Sequence, residues 1–319
     1  MKLSTLIAYK HKLQKHNSEL LTKSLDEILC LISAEISDTD FLNLFTTKKA
    51  DLLKVTEEFH MFYQDYINTI KKQIIHDEQE YIASSFDRYN NPPYLANPSG
   101  GIEHYRLQEL VIDNDTRQYL KGRIEKYVAW SIPGLQLAPG YGDLTDCMVS
   151  LDPLYLVDYY DQLIQPVRIK YPEAYQYRLR SYTIPRYFKG RKSLAQLPQN
   201  QFGFILAYNF FDLLPLEGME EILKECFDLL RPGGTILFTF NDCDQSHNVH
   251  FVEINHRFYT PARLVKKILN SLGFKILNHH YESYGIAWFE ASKPGDLVAV
   301  RSSQALAKVE RYEIGETKK

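Results

Sequence analysis

The chain has 319 residues, room for about two domains, and its 37 basic and 40 acidic residues leave a formal net charge of −3. That near balance argues against a dedicated polynucleotide surface, and no apolar run approaches the ~20 residues of a membrane span. Cys30, Cys147, Cys226 and Cys243 have neither metal-ligand nor disulfide spacing, so no metal is expected; with no secretion-signal layout at the N-terminus, the expected setting is the cytoplasm.

Residues 1–90 read as a helical N-terminal domain. Leu52, Val55, Phe59, Phe62, Tyr66, Ile67, Ile70 and Ile74 recur mostly at three- and four-residue steps, so one long amphipathic helix is expected from Lys48 to about Phe86. A helix of this kind packs on its own chain as a cap or lid, or pairs with a second copy, and a homo-oligomer through these helices is one expectation. Residues 91–124 follow as a linker and a leading helix. The linker is rich in Asn, Pro and Gly, and the helix is marked by Ile112, Leu120, Ile124 and Val128.

The most informative segment comes next: Leu135-Gln-Leu-Ala-Pro-Gly-Tyr-Gly-Asp-Leu-Thr145 is an apolar run that breaks into a paired-glycine turn and then reads as the opening of a helix. Gly140 and Gly142 lack a Cβ, so the backbone can take positive φ and a ligand can approach it, while the N–H groups of a following helix point at the same place. Pro153-Leu-Tyr-Leu-Val-Asp158 is then a short β-rich run ending in a carboxylate. The spacing suits a βαβ unit in which Asp158 accepts hydrogen bonds from both hydroxyls of a ribose. The alternative is that Asp158 caps the helix beginning near Asp161.

Tyr177-Arg-Leu-Arg-Ser-Tyr-Thr-Ile184 is a third, more polar strand, and Phe202-Gly-Phe-Ile-Leu-Ala-Tyr208 a fourth, apolar enough to be buried on both faces of a parallel sheet. Asn209-Phe210-Phe211 sits just past its end, where open α/β sheets place ligands. An amphipathic helix from Leu216 to Leu230 is stopped by Arg231-Pro-Gly-Gly234, and Thr235-Ile-Leu-Phe-Thr-Phe-Asn241 is a fifth strand.

In that order and at those intervals, Ala-Pro-Gly-Tyr-Gly142, Tyr-Leu-Val-Asp158, Phe-Ile-Leu-Ala-Tyr-Asn209 and Leu-Leu-Arg-Pro-Gly-Gly-Thr-Ile-Leu-Phe238 resemble a class I S-adenosylmethionine-dependent methyltransferase over residues 125–302. The resemblance implies an α/β fold: a Rossmann-like seven-stranded methyltransferase sheet, six strands parallel and the last antiparallel, behind the N-terminal helical domain, with 303–319 as a tail. Arg257-Phe-Tyr-Thr-Pro-Ala-Arg-Leu264 reads as a helix start capped by Thr260, and Leu272-Gly-Phe274 as its end. The sixth strand is expected at 275–281 and the antiparallel seventh at 297–302. Tyr284-Gly-Ile-Ala-Trp-Phe-Glu290 extends one of these strands or packs as an apolar flap.

By this resemblance the cofactor is S-adenosyl-L-methionine, held by Gln136, Ala138, Gly140, Gly142, Asp158, Tyr159, Asn209 and Phe210. Two of these positions depart from the family pattern. Gln136 stands where a carboxylate usually pairs with the cofactor's ammonium group, and Ala138 where the first loop glycine usually stands. The implied reaction is methyl transfer to a small-molecule or sugar acceptor at oxygen, in which holding donor and acceptor in line supplies most of the rate. Leu-Val-Asp158 followed by Tyr159-Tyr-Asp-Gln-Leu-Ile164 is also similar to sugar O-methyltransferases. His247, His250 and His256 follow the fifth strand, and His256 is the candidate general base, against the plainer reading that all three are solvated loop histidines. Two other functions fit the residues. One is a non-catalytic structural or interaction protein built on this fold; the other is an amino-methyltransferase that grips a planar nitrogen acceptor with Asn91-Pro92-Pro93-Tyr94. A dinucleotide enzyme fits less well, because the loop lacks the third glycine.

Overall fold

The computed structural model describes residues 2–20, 27, 56–90, 114–129, 132–140, 142–281 and 287–297. The Asn91-Pro92-Pro93-Tyr94 motif, Cys30, residues 48–55, Tyr284 and the tail 303–319 therefore lie outside the described residues. Two compact units are present: Met1–Phe86 with Cys243–Tyr259, and Asp87–Asp242 with Thr260–Lys319.

The first unit holds α1 (Leu3–Leu20), most of α2 (Thr56–Asn90) and α7 (Ser246–Glu253). Its core is Leu3, Leu6, Ile7 and Leu13 of α1, Ile67, Ile70 and Ile74 of α2, and Val249 and Val252, with Cys243 and Tyr259 at the ends of the later segment. The three- and four-residue spacing that predicts an amphipathic α2 is thus the stripe that it buries, within its own chain. The helix runs on to Asn90, past the expected end near Phe86. Glu253 closes the free N-terminal turn of α1: Ser4 donates to its carboxylate through the backbone N–H (3.2 Å) and through the hydroxyl (2.9 Å), a negative group placed against the positive end of the helix. The ring of Tyr81 stacks on that of Tyr259, centroids 5.8 Å apart. Cys243–Tyr259 falls inside the 125–302 range expected for the sheet domain, but it groups with the N-terminal helices.

The second unit is a seven-stranded sheet with helices, in the order β3-β2-β1-β4-β5-β7-β6. Its strands are β1 (Gly134–Leu137), β2 (Leu154–Asp158), β3 (Leu179–Thr183), β4 (Phe202–Ala207), β5 (Leu230–Phe240), β6 (Lys275–Tyr281) and β7 (Ala287–Ser292). Helix α3 (Asn114–Glu125) leads into β1, α4 (Asp161–Ile169) and α5 (Glu173–Gln176) join β2 to β3, α6 (Leu216–Leu229) joins β4 to β5, and α8 (Ala262–Ser271) precedes β6. Pairing is parallel from β3 through β5, and β7 runs antiparallel to both β5 and β6. Every residue of β1 and β4 is buried, as expected of apolar strands at the centre of a parallel sheet. The chain builds β1, β2 and β3 outward in one direction and then crosses to β4 on the other side of β1. That reversal opens a crevice at the carboxyl ends of β1 and β4.

Five details differ from the sequence reading. The antiparallel strand is Ala287–Ser292 rather than 297–302: Trp288, Phe289 and Glu290 are wholly buried there, whereas Leu297 is exposed. Only a 3-10 turn, Thr145–Met148, follows the glycine loop where a helix was expected; Pro153 disfavours helical backbone at Asp152 and so limits any extension. Residues 231–234 do not stop the preceding helix, which ends at Leu229, but lie within β5. Phe202 pairs with Leu230 and Phe204 with Thr235, so the Pro-Gly-Gly segment bulges out of a continuous β5. Thr260 does not cap α8: its hydroxyl donates to the Asn241 carbonyl (2.8 Å), and the first-turn N–H of Ala262 is taken by the Asp242 carboxylate (3.0 Å). The third strand starts at Leu179, two residues after Tyr177, because Arg178 still closes the preceding turn onto the Tyr175 carbonyl.

The antiparallel edge is fastened by a buried carboxylate. Glu290 receives Arg123 of α3 through Nε (2.6 Å) and a second, shorter contact from Nη2, the Tyr127 hydroxyl (2.6 Å) and the Asn278 amide (3.1 Å). Burial alone would raise its pKa, but these donors outweigh that and hold it below the ordinary glutamate value.

Candidate functional site

The crevice at the switch point contains a pocket. Gln136, Ala138, Pro139 and Gly140 line it from the end of β1, Tyr208 and Asn209 from the end of β4, Asp143 and Leu144 from the following turn, and Arg117 and Leu120 from α3. Sequence reasoning placed Gln136, Ala138, Gly140 and Asn209 in one site, and they are brought together.

The loop is a run of left-handed backbone. Ala138 has φ +54°, Gly140 +56° and Gly142 +86°. Only the glycines take such angles without strain; Ala138 carries a Cβ into a region that costs an L-residue roughly 1–2 kcal/mol. The two glycines do different work. A Cβ on Gly140 would meet nothing within 4 Å, so this residue fronts open space, whereas one on Gly142 would sit 3.1 Å from Val167 Cγ1. Gly142 lets the loop pack closely on α4, and Gly140 leaves room for a ligand. The loop is closed by a hydrogen bond from the Gly142 N–H to the Pro139 carbonyl (2.9 Å), and the Ala138 N–H ties it to β2 through the Val157 carbonyl (2.8 Å).

Gln136 is 1% exposed, and its amide oxygen accepts the Thr145 hydroxyl (2.7 Å). It braces the turn after the loop and brings to the pocket a neutral amide rather than a carboxylate.

Asp158 lies at the tip of β2, beside that loop, and does not line the pocket. It is 1% exposed; Oδ1 accepts the Tyr160 N–H (3.1 Å), and Oδ2 has no partner among the described residues. Burial drives its pKa up to about 7, although backbone N–H groups of Tyr160 and Tyr159 pull the other way. One oxygen serves the entry to α4, whose N-cap Tyr160 makes no side-chain cap of its own, and the other is left over. A buried acceptor without a donor is costly, and a ligand hydroxyl would satisfy it.

Tyr159 and Phe210 stack at 5.5 Å and 22°, joining the tips of β2 and β4, the two neighbours of β1. Asn209 takes φ +54°, its N–H donates to Thr239 Oγ1 (2.7 Å), and its side-chain oxygen is buried without a partner among the described residues. His256 belongs to the other compact unit, half buried after α7, and is not among the residues lining the pocket. The stretch after β5 is not a solvated loop but contains α7, with His247 and His250 on its exposed face.

Two lining residues were missed by sequence reasoning. Arg117 sits on α3, well before the glycine loop, and no local signal marks it. Asp143 directly follows Gly142 and was legible as a carboxylate on the loop. Their charged groups face each other, Arg117 Nη1 to Asp143 Oδ2 at 3.5 Å.

No family model and no curated protein matches the sequence. Several solved structures are similar. An S-adenosylmethionine-dependent methyltransferase from Methanosarcina mazei is 13% identical over 54% of this chain and 97% of its own, with a TM-score of 0.42. An N-methyltransferase from Bradyrhizobium japonicum is 12% identical over 57% and 98%, with a TM-score of 0.41. A possible exported protein from Bordetella parapertussis is 11% identical over 57% and 68%, with a TM-score of 0.46. At these values the likeness is one of fold, and the strand order carries the argument. Five adjacent parallel strands with a reversal beside β1, followed by an antiparallel β7 inserted between β5 and β6, form the Rossmann-like seven-stranded sheet that the sequence resemblance implies.

Proposed function

We propose that the protein binds S-adenosyl-L-methionine at this crevice and transfers its methyl group to a small-molecule or sugar acceptor, at oxygen. The observation that carries the reading is the buried Asp158, with an oxygen that has no partner among the described residues, beside a left-handed loop whose Gly140 opens onto a pocket. These residues fit the cofactor: Asp158 for the ribose hydroxyls, the 138–142 backbone for close approach, and Asn209 with the Tyr159–Phe210 pair from the flanking strand tips. The bound cofactor supplies a sulfonium methyl open to nucleophilic attack. The chain's part is to hold the donor, keep water from the buried strand tips, and align an acceptor, so positioning accounts for most of the rate.

A second reading, the same fold without chemistry, is favoured by Gln136, a neutral amide held by the Thr145 hydroxyl where the resemblance calls for a carboxylate. Titration calorimetry with S-adenosylhomocysteine separates the two. Binding by the native protein that is lost in Asp158→Ala supports the donor site; absence of binding even at high ligand concentration refutes it and leaves the scaffold.

A further inference from the structure

Thr239 is a polar residue in the part of β5 where every residue from Thr235 to Phe240 is buried, and it is itself 0% exposed. A valine would fill the same volume without taking a hydroxyl out of water, so the oxygen needs a partner that justifies it. That partner is the main chain of Asn209. The ladder between β4 and β5 ends with the pair Ala207 and Phe238. Just beyond it, the Asn209 N–H turns to a side chain and donates to Thr239 Oγ1 at 2.7 Å.

The bond fixes Asn209 at φ +54°, a left-handed angle that asparagine adopts more readily than most residues with a Cβ. There the chain leaves the strand direction, and Asn209 lines the pocket at the switch point. The residue is 3% exposed, and its side-chain oxygen has no donor among the described residues. Gln136 on neighbouring β1 is also held by a threonine, but through its side chain, whose oxygen accepts the Thr145 hydroxyl at 2.7 Å. Thr239 instead takes the backbone of Asn209 and leaves the side-chain oxygen to a ligand.

We propose that Thr239 is a positioning residue of the cofactor site: by holding the Asn209 N–H in the left-handed turn, it directs the Asn209 amide oxygen to an N–H or O–H donor of the bound cofactor. Thr239 is not among the residues lining the pocket and acts through Asn209 alone. This rests on the cofactor reading above.

The test is calorimetric titration of S-adenosylhomocysteine into the native protein, Thr239→Val, Thr239→Ser, Asn209→Gly and the double variant Asn209→Gly/Thr239→Val, with urea midpoints recorded beside each. Glycine keeps the left-handed backbone without strain and removes the amide. Thr239→Val and Asn209→Gly should each weaken binding roughly 3–10-fold, the scale of one hydrogen bond, and Thr239→Ser should bind as the native protein does. In the Asn209→Gly background Thr239→Val should cost no further affinity. A threonine that serves the fold alone would lower the midpoint and leave the affinity of the folded protein unchanged, and that result overturns the assignment. An equal loss in the Asn209→Gly background overturns it as well, since Thr239 would then act on some other group. If valine prevents folding, Thr239→Ala carries the same comparison, and amide hydrogen exchange of the native protein reads the bond directly: slow exchange at Asn209 is expected, and exchange at the rate of an open loop overturns it. Failure of the native protein to bind S-adenosylhomocysteine refutes the cofactor reading itself, and this inference with it; the other adverse results leave that reading standing.

Discussion

Asp158 is held in a protonation state that the unfolded chain does not share, and Asp158→Asn tests the consequence. Its carboxyl moves from an ordinary 3.8 to about 7 in the folded protein, chiefly through burial. Below the unfolded value both states are protonated and folding is indifferent to the group. Between the two values the folded state binds a proton that the unfolded state has released, so stability falls as pH rises, and above about 7 the whole penalty is present. A rise of that size corresponds to about 4 kcal/mol. Asparagine keeps an oxygen for the Tyr160 N–H and removes the charge. Its extra N–H donors stand where the protonated acid has its own O–H, so the variant and native protein differ little at low pH. The stability gained by the variant should therefore grow by about 3 kcal/mol between about pH 5 and pH 8, as the native carboxyl ionises. Urea denaturation at the two pH values reads this as a widening gap in midpoint at constant slope. A gain of the same size at both pH values, or a variant less stable than the native protein at pH 8, would refute the reasoning. The same substitution should abolish S-adenosylhomocysteine binding, so that stability rises where the ligand site is lost.

Three further outcomes follow from particular contacts. Ala138→Gly removes a Cβ from backbone at φ +54° and, after the extra unfolded-state entropy of glycine, should stabilise the protein by about 0.5–1 kcal/mol in thermal unfolding. Arg123→Met leaves Glu290 wholly buried without its cation and should cost about 3–5 kcal/mol in denaturant midpoints, with Glu290→Gln partly rescuing the double variant. Gly203→Ala places a methyl 1.9 Å from Ile132 Cγ2, in the wholly buried β4, and should cost about 1–3 kcal/mol; an unchanged midpoint would show that β4 and the turn before β1 have slack.

Where local chemistry is enough, the chain declares its own structure. Phe202–Ala207 can only be a strand buried on both faces, β6 begins and ends at the expected Lys275 and Tyr281, and Gly140 and Gly142 take the left-handed angles for which they are the least strained residues. The stripe at Ile67, Ile70 and Ile74 marks the buried face of α2 whatever covers it. Asp158 at the tip of β2 was legible too, because strand length and helix length set its distance from the loop. What the sequence left open is which groups meet across long separations. A β-rich run such as Ala287–Ser292 and one such as 297–302 are locally equivalent, and only pairing with β5 and β6, with Trp288 and Phe289 buried, selects the first. The cap of α8 passed from Thr260 to Asp242 for the same kind of reason, since a capping oxygen is chosen by where the preceding strand ends. The membership of Cys243–Tyr259 in the N-terminal unit, and the approach of Arg117 on α3 to Asp143 on the loop, have no local signature. Periodicity and turn chemistry act over one or two turns of chain and so were readable along the sequence; a pocket wall is made by segments that only the packed sheet brings to the same place, and that was decided by the tertiary structure alone.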